Sequence, residues 1–370
     1  MTTIVKAADA AHFLSLLPAM LGFTPVRSLV LVPFRGSRSI GALRLDLPRD
    51  GTDLDAFAAT CLGMVCRVPH ADALAAAVFS DDSCAKGLPG SALLAGIRGA
   101  ADACGLRVTD ALSVGSDGWG SALDPDCPRG GRPLAALALP APVATAPGDQ
   151  TTGAELPSVH PRQAEAVAAA LRAVRAALRD LGEDEAEGPP RRGRRRIHPE
   201  ALAVVERLDD VVACFEQCLD ADPEALAPFD AALLLWCLSR PALRDVAIVQ
   251  WAADAPRGIR ALEAQRRWEE GAEYPADLAM TMWGDGPRPD PVRLTRALDL
   301  TRRLAALAPR AARPGALATC AWLSWALGRS THADRYARMA ADLDPGHGLT
   351  QIVRAFVAAG HLPDWAFRAG

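Results

Sequence analysis

The chain has 370 residues, half of them hydrophobic, and a formal net charge of −4 at pH 7. Because this length exceeds one typical hydrophobic core, two domains are expected, and the apolar content excludes a globally disordered chain. The small net charge gives no overall attraction to nucleic acid or to a membrane surface. No apolar stretch reaches the roughly 18 residues that a membrane span requires.

Nine cysteines are scattered along the chain without a Cys-x-x-Cys pair. The chain starts without the basic region and apolar core of a signal peptide, so a secreted disulfide framework is not expected and a cytoplasmic location is predicted. Cys214 and Cys218 lie one helical turn apart, but no histidine or second cysteine pair completes a metal site. Their apolar neighbours favour a place in the core. No metal and no cofactor is therefore predicted.

The first domain is organised around an apolar stretch near its start. A helix over 7–20 is followed by Gly22 and Pro25, which interrupt it, and then by the unbroken apolar run Leu29–Val32. Such a run is typical of a strand covered on both faces. Residues 40–47 alternate leucine with polar side chains, which predicts a second strand with one buried face and a hairpin with the first.

The following elements alternate in the same way. They are a helix capped by Thr52 or Asp53 that runs through Val65, a helix or strand at Ala73–Phe79, a helix over Ser91–Cys104, and a strand over Leu106–Val114. Strands alternating with helices predict an α/β (α+β) layer domain, a β-sheet flanked by helices, over residues 1–150. In the Gly- and Pro-rich segment that follows Val114, Pro133–Leu139 is the one possible further strand.

After residue 150 every predicted element is a helix. Residues 151–198 contain one helix and a charged linker rich in Pro and Arg, and residues 199–370 form an all-helical domain. The predicted helices are 162–181, 200–219, 225–238, 243–252, 258–270, 292–307, 316–327, 332–343 and 349–359. The helix pairs resemble tetratricopeptide-type hairpins but show no fixed-period repeat, so a bundle or short solenoid is predicted.

Four segments together resemble a known family. They are Leu16–Val32 (LLPAMLGFTPVRSLVLV), Arg44–Pro48 (RLDLP), Gly105–Leu123 (GLRVTDALSVGSDGWGSAL) and Ala316–Gly348. They resemble the bacterial family called domain of unknown function 4192, over nearly the whole chain. The resemblance implies a mainly high-G+C Gram-positive distribution and favours a strand at Ala73–Ser80. It implies no function.

Asp81 and Asp82 are the best-placed carboxylates for a ligand. Ligands of α/β sheets bind beyond the carboxyl ends of strands, and these two residues directly follow the segment Ala73–Ser80. The loop 86–91 leads into a helix N-terminus that can hold an anion, but it lacks the spacing of a phosphate loop. A solvated turn with a helix cap is favoured there.

Two further pairs of residues are candidates on or beside the sheet. Arg44 and Asp46 lie two apart on one strand and share a face, where a surface ion pair is favoured over a pocket wall. Trp119 and Ser121 lie in a Gly-rich loop, where anchoring of the loop on the sheet is favoured over a pocket lid. The resembled family often has a second aromatic residue and several cysteines near this tryptophan. Only Cys127 is present here, which weakens any metal or redox site in this loop.

A basic block is formed by Arg191, Arg192, Arg194, Arg195 and Arg196. Such a block can contact phosphates of nucleic acid. Several acidic residues and two prolines directly precede it, so a self-neutralising flexible linker is favoured. No helix-turn-helix or aromatic RNA-binding signature accompanies it, and nucleic-acid binding is not expected.

These observations favour a non-enzymatic binding or regulatory module, with a protein partner or self-association through the helical region. The chain has neither a G-x-S-x-G elbow nor a G-x-G-x-x-G sequence after a strand, so no catalytic signature supports an enzyme. The competing hypothesis is a sensor or enzyme for a phosphorylated or nucleotide-like molecule at the sheet edge, using Arg44, Asp46, Asp81, Asp82, Trp119 and Ser121. A weaker alternative is nucleic-acid association through the basic block.

Overall fold

The structure is a computed structural model that describes residues 7–137, 148–181 and 197–368. The chain folds into two compact units, with the boundary between Gly153 and Ala154. The predicted fold class is confirmed, because a mixed β-sheet with interleaved helices precedes a long all-helical region.

The first unit contains a six-stranded mixed sheet and three helices. The strands are β1 (Ser28–Arg35), β2 (Arg38–Ser39), β3 (Leu43–Asp46), β4 (Ala73–Phe79), β5 (Arg107–Val114) and β6 (Trp119–Ser121), and the helices are α1 (Ala10–Leu21), α2 (Leu54–Cys66) and α3 (Ser91–Ala103). The strand β1 pairs with β4 on one side and with β2 and β3 on the other. Among the paired strands of the described residues, only β4 and β5 run parallel. The predicted hairpin is confirmed, with Leu29 opposite Leu45.

Helices cover both faces of this sheet, which explains the unbroken apolar run in β1. Val30 and Val32 pack under α1, whereas Leu29 and Leu31 pack under α2 and α3. All four side chains are buried, and each contributes about 1.5–3 kcal/mol by leaving water. The turn before β1 also forms as predicted, since α1 ends at Gly22 with a φ of 81°, a conformation that favours glycine.

Two sequence predictions for this unit are wrong. Trp119 and Ser121 do not lie in a loop but form the edge strand β6, antiparallel to β5. This strand is three residues long, too short for an alternating pattern to reveal it. Leu134–Leu137 form a 3-10 turn instead of a strand, and the rest of the segment predicted as Pro133–Leu139 lies partly outside the described residues.

The second unit is helical throughout its described residues. Its helices are α4 (Pro161–Leu181), α5 (Pro199–Val205), α6 (Val211–Asp220), α7 (Pro228–Leu238), α8 (Pro241–Ala252), α9 (Ala255–Glu269), α10 (Ala276–Met282), α11 (Pro291–Leu307), α12 (Arg313–Ala326), α13 (Ser330–Ala341) and α14 (Gly348–Ala358). The helix α12 is central, since every residue from Gly315 to Ala326 is buried. None of the described helices is long and apolar enough to cross a membrane.

The helices of this unit differ from the sequence predictions in two respects. The single helix expected over 200–219 is wrong, because a 3-10 turn at Glu206–Asp210 separates α5 from α6. Asp210 starts the new helix by accepting a hydrogen bond from the Ala213 amide, while the apolar spacing continues across the break. The short helix α10 was not predicted. Ile352 on α14 is 43% exposed.

A partly buried polar network connects α6, α8 and α11. Arg293 donates from Nη1 and Nη2 to the two carboxylate oxygens of Glu216, at 2.5 and 2.7 Å. Gln250 is fully buried and donates from Nε2 to Glu216 Oε2 at 2.7 Å and to the Val212 carbonyl oxygen at 2.9 Å. The hydrogen bonds from Arg293 are the main cause that holds the pKa of Glu216 below its ordinary value.

We expect Glu216→Gln to destabilise the protein by about 1–3 kcal/mol at pH 7, because it removes a charge-assisted bidentate pair. The pKa of Glu216 is lower in the folded than in the unfolded chain, so the ionised carboxylate stabilises the fold above about pH 4.3. This stabilisation is lost as the pH falls through the folded-state pKa. Urea unfolding of the wild-type and Glu216→Gln proteins should therefore show a difference in unfolding free energy that shrinks as the pH falls from 7 to 3. The exposed Glu263→Gln is the control, and a difference independent of pH would contradict the assignment.

The start of α12 passes too close to the end of α7 for any side chain at Gly315. A Cβ there would overlap the carbonyl oxygen of Leu238 and lie 2.8 Å from its carbonyl carbon. Because backbone atoms cannot rotate away, we expect Gly315→Ala to cost about 1–3 kcal/mol or more. Gly99→Ala in α3 is the matched control, since its Cβ would meet nothing within 4 Å, and it should stabilise by about 0.5–1 kcal/mol. Unfolding midpoints of the two variants should move in opposite directions.

Candidate functional site

The parallel strands β4 and β5 end side by side, so the loops that follow them meet at one edge of the sheet. The Ser80 amide donates to the Val114 carbonyl oxygen, and the Ser116 amide donates to the Asp82 carbonyl oxygen, both at 2.9 Å. The first residue of β1 lies at the same edge, because Ser28 pairs with Phe79. This is the edge at which the carboxyl-end rule predicts a ligand.

Asp117 joins the two loops at this edge. Its Oδ2 accepts a hydrogen bond from Ser83 Oγ at 2.5 Å, and its Oδ1 accepts one from the Cys84 amide at 2.7 Å. These two bonds hold the pKa of Asp117 below its ordinary value. The sequence reasoning missed Ser83 and Asp117. Their position directly after neighbouring parallel strands was the signal that could have identified them.

Glycines allow the cysteine side chains to pack between these loops. A Cβ on Gly115 would lie 2.6 Å from the Asp82 carbonyl oxygen and 2.8 Å from Cys84 Sγ. A Cβ on Gly120 would lie 2.5 Å from Cys127 Sγ. Cys84 is fully buried, and this burial raises the pKa of its thiol, so the thiol is protonated and protected at neutral pH.

The two carboxylates predicted for this edge extend into solvent. Asp81 is 69% exposed, and its Oδ2 lies 4.0 Å from Nη1 of Arg27. Asp82 accepts a hydrogen bond from Ser80 Oγ at 2.9 Å, and its amide donates back to that oxygen at 3.1 Å. Asp82 therefore forms a local turn, while Asp81 carries its charge at the surface.

Arg44 is held by contacts within the sheet. Its side chain is only 9% exposed, and its Nη2 lies 2.5 Å from Asp46 Oδ1. Its Nε donates to Ser28 Oγ at 2.7 Å, and its Nη2 also lies 3.4 Å from the Val26 carbonyl oxygen. The side chain thus ties β3 to the start of β1. The Asp46 carboxylate is the exposed member of the pair, at 81%.

Trp119 lies in the core beneath α1, where it packs among Leu17, Val32 and Leu112. It is 4% exposed, and the guanidinium carbon of Arg132 lies 5.6 Å from its ring centroid. Backbone hydrogen bonds in both directions also join these two residues. Trp119 is therefore a side chain of the packed interior rather than a cover over an open pocket.

Ser121 makes a short internal hydrogen bond. Its Oγ donates to Asp110 Oδ1 at 2.5 Å, across the pair of strands β5 and β6. The structure thus brings Asp81 and Asp82 together in solvent and turns Arg44, Trp119 and Ser121 toward internal contacts. The basic block at Arg191, Arg192, Arg194, Arg195 and Arg196 lies outside the described residues.

The described residues contain no cluster of three or more His, Cys, Asp or Glu side chains that could hold a metal ion. Cys214 and Cys218 are buried in the core of the helical unit, at 1% and 4% exposure. A cavity of about 310 Å³ is lined mainly by alanines of α4, with His198, Glu200 and Phe229 at its side. This volume is at the small end of ligand sites, and few polar groups converge there.

Large apolar side chains of the helical unit are exposed at several places, among them Ile259, Trp268 and Val292 as well as the end of α10. Trp283 is 53% exposed, and Met280, three positions earlier in α10, is 43% exposed. The Trp283 ring lies against Phe356 of α14, with ring centroids 5.2 Å apart. Ile352, also 43% exposed, precedes Phe356 by one helical turn. Met280, Trp283 and Ile352 are called the Trp283 surface below.

The Trp283 surface has a rigid backing. Phe356 packs on Trp325 with ring centroids 4.6 Å apart, and Trp325 Nε1 donates to the His361 carbonyl oxygen at 2.7 Å. The His361 ring Nε2 lies 3.2 Å from the carbonyl oxygen of Trp283. Gly284, with a φ of 86°, allows the chain after α10 to approach this aromatic group closely.

Arginines and an aspartate lie in the segments that adjoin the Trp283 surface. Arg368 donates from Nη1 to the Gly286 carbonyl oxygen at 2.7 Å and pairs with Asp285 at 3.1 Å. Arg288 Nη1 lies 3.5 Å from the Arg368 carbonyl oxygen. Arg354 is exposed on α14, two positions after Ile352.

Comparison with known proteins identifies the family of the chain. Residues 11–364 match the family described as Domain of unknown function (DUF4192). Because the match covers nearly the whole chain, the protein belongs to this family, and the resemblance seen in its sequence is confirmed. No curated protein and no solved structure matches the chain.

We expect Asp117→Ala to raise the alkylation rate of Cys84 about tenfold or more, because the loop that buries this thiol loses two of its anchoring hydrogen bonds. The rate is measured by timed reaction of the native protein with iodoacetamide, followed by mass spectrometry of the peptide that contains Cys84. Asp81→Ala is the control, since the exposed Asp81 carboxylate does not anchor the loop as Asp117 does. Equal rates in both variants would show that Asp117 does not hold the loop.

Proposed function

We propose that this member of the DUF4192 family is a protein-interaction module that binds an acidic amphipathic helix of a partner protein on the Trp283 surface. The observation that carries the proposal is the 53% exposure of Trp283, which follows the exposed Met280 by three positions and contacts Phe356, one helical turn from the exposed Ile352. Grouped apolar side chains at a surface are typical of interaction sites, whereas isolated ones are not. Tryptophan is also among the residue types most enriched in binding hot spots.

The backing of Trp283 supports this role. Its ring is held against Phe356, and its carbonyl oxygen lies within hydrogen-bonding distance of His361. Because this ring is already ordered, a partner that covers it restricts few additional groups, which reduces the entropy cost of binding. Met280 and Ile352 lie on different helices and offer further exposed apolar side chains.

The arginines indicate the charge of the partner. Arg288 is exposed, and Arg368 is paired with one carboxylate. Aspartate or glutamate beside the apolar anchors of a partner would complement these charges and orient it. An amphipathic helix carries apolar and acidic residues at i, i+3 and i+4 spacing. Such a helix can lie across a surface formed by two helices.

A small-molecule site at the sheet edge has less support. Of the residues that it would use, Arg44, Trp119 and Ser121 are engaged in internal contacts. The remaining aspartates offer negative charge, which does not complement a phosphorylated or nucleotide-like ligand.

Trp283→Ala should weaken partner binding about tenfold or more, because it removes a hot-spot side chain. A photo-crosslinking amino acid at position 280 first captures the partner from a lysate of source cells and identifies the crosslinked segment. A synthetic peptide of that segment is then titrated against the full chain by calorimetry. We expect an apolar helical segment with acidic residues, whose affinity falls with added salt.

Trp268→Ala is the matched control, since Trp268 is 54% exposed on a different helix of the same unit. Ile352→Glu adds a charge that repels an acidic partner and should also abolish binding, at an exposed position where the fold tolerates it. Equal losses in the Trp268 and Trp283 variants, a crosslinked segment without acidic residues, or the absence of any specific crosslink would each contradict the proposal.

A further inference from the structure

Two of the nine cysteines differ from the others in their exposure. Cys66 and Cys104 are exposed, Cys127 is half-buried, and the remaining six are buried. The two exposed residues occupy equivalent places, because Cys66 is the last residue of α2 and Cys104 directly follows α3. Any oxidant in solution therefore reaches these two thiols first.

The packing of α2 against α3 brings the two cysteines together. A Cβ on Gly96 of α3 would lie 3.4 Å from the Cβ of Ala58 in α2, so the helices approach closely there. From this contact, eight residues along each helix lead to Cys66 and to Cys104. Eight residues of α-helix extend roughly 12 Å, at 1.5 Å per residue. Because the two helices run in the same direction from this contact, Cys66 and Cys104 lie at about the same distance from it.

The two thiols influence each other's ionisation. Partial desolvation is the largest cause that raises the pKa of the Cys66 thiol, and its interaction with Cys104 raises this pKa further. The Cys66 thiol is therefore protonated at neutral pH and reacts slowly when oxidant is scarce.

We propose that Cys66 and Cys104 form a reversible intramolecular disulfide when the protein meets hydrogen peroxide, and that this pair is a redox-responsive modification site. One thiolate attacks the peroxide, the O–O bond breaks, and a sulfenic acid and one water are formed. The second thiol attacks this sulfur, the S–O bond breaks, a second water leaves, and the S–S bond forms. Two thiols thereby lose two electrons and two protons, and one peroxide is reduced to two waters.

The disulfide would close a loop that contains β4 and α3. Cys61, Leu62 and Val65 of α2 and Ala101 of α3 belong to the core under one face of the sheet. A covalent link between the ends of the two helices restricts the unfolded chain and stabilises this layer. Oxidation should therefore raise the unfolding midpoint of the sheet unit by several degrees, and a dithiol reductant should reverse the change.

The experiment treats the reduced full chain with hydrogen peroxide, alkylates the remaining thiols with N-ethylmaleimide, and maps the tryptic peptides by mass spectrometry. We expect a linked peptide that joins Cys66 to Cys104, the loss of two alkylatable thiols together, and a monomeric product. Cys66→Ser and Cys104→Ser should each abolish the linked peptide and the rise in unfolding midpoint. Cys127→Ser, which removes the half-buried thiol, should leave both unchanged.

The tryptic peptide map of the oxidised wild-type protein tests the proposal without any variant. Separate oxidation of the two thiols to sulfinic acids, or a disulfide between two molecules, would overturn the proposal. So would a linked peptide that pairs either residue with another cysteine of the chain.

Discussion

Each unit of this protein is built around an element that is buried on all sides. In the sheet unit this element is β1, whose residues from Ser28 to Pro33 are buried. In the helical unit it is α12, which is buried from Gly315 onward. An element without a solvent face can be stable only when neighbours cover it completely, so its position determines where the surrounding helices and strands must lie.

Complete burial also restricts the polar groups nearby. The side chain of Arg44 is largely buried and that of Glu216 is partly buried, and each has a partner of opposite charge and further hydrogen bonds. A buried polar group without partners would cost several kcal/mol in an apolar medium, so these networks are a condition of folding. This is the reason that Arg44, although attractive as a ligand contact from the sequence, is engaged within the sheet.

Side chains that packing does not explain are more informative about function. Trp283 is exposed although it is large and aromatic, and Cys66 and Cys104 are exposed although most cysteines of the chain are buried. The first observation supports the proposed partner surface in the helical unit. The second supports a redox-responsive pair in the sheet unit. The two proposals rest on different residues and can be tested separately.

The sequence by itself determined the class of each element wherever an apolar pattern was long enough. The apolar run at Leu29–Val32 and the alternation in 40–47 predicted the hairpin that is observed. A strand buried on both faces has a continuous apolar run, whereas a strand buried on one face alternates apolar and polar residues. The four quoted segments identified the family. Short elements such as β6 and α10 carry too few residues for any period, and the break before α6 left the apolar spacing intact.

Only the tertiary structure decided which residues share a site. Asp117 reaches the loop after β4 because two strands far apart in sequence lie in parallel. Cys66 and Cys104 come to the same level because two helices advance together from a glycine contact. Sequence spacing describes neighbours within one element, whereas these contacts depend on how separate elements pack. Trp119 was visible in the sequence, but its burial followed from the helix that covers its face of the sheet.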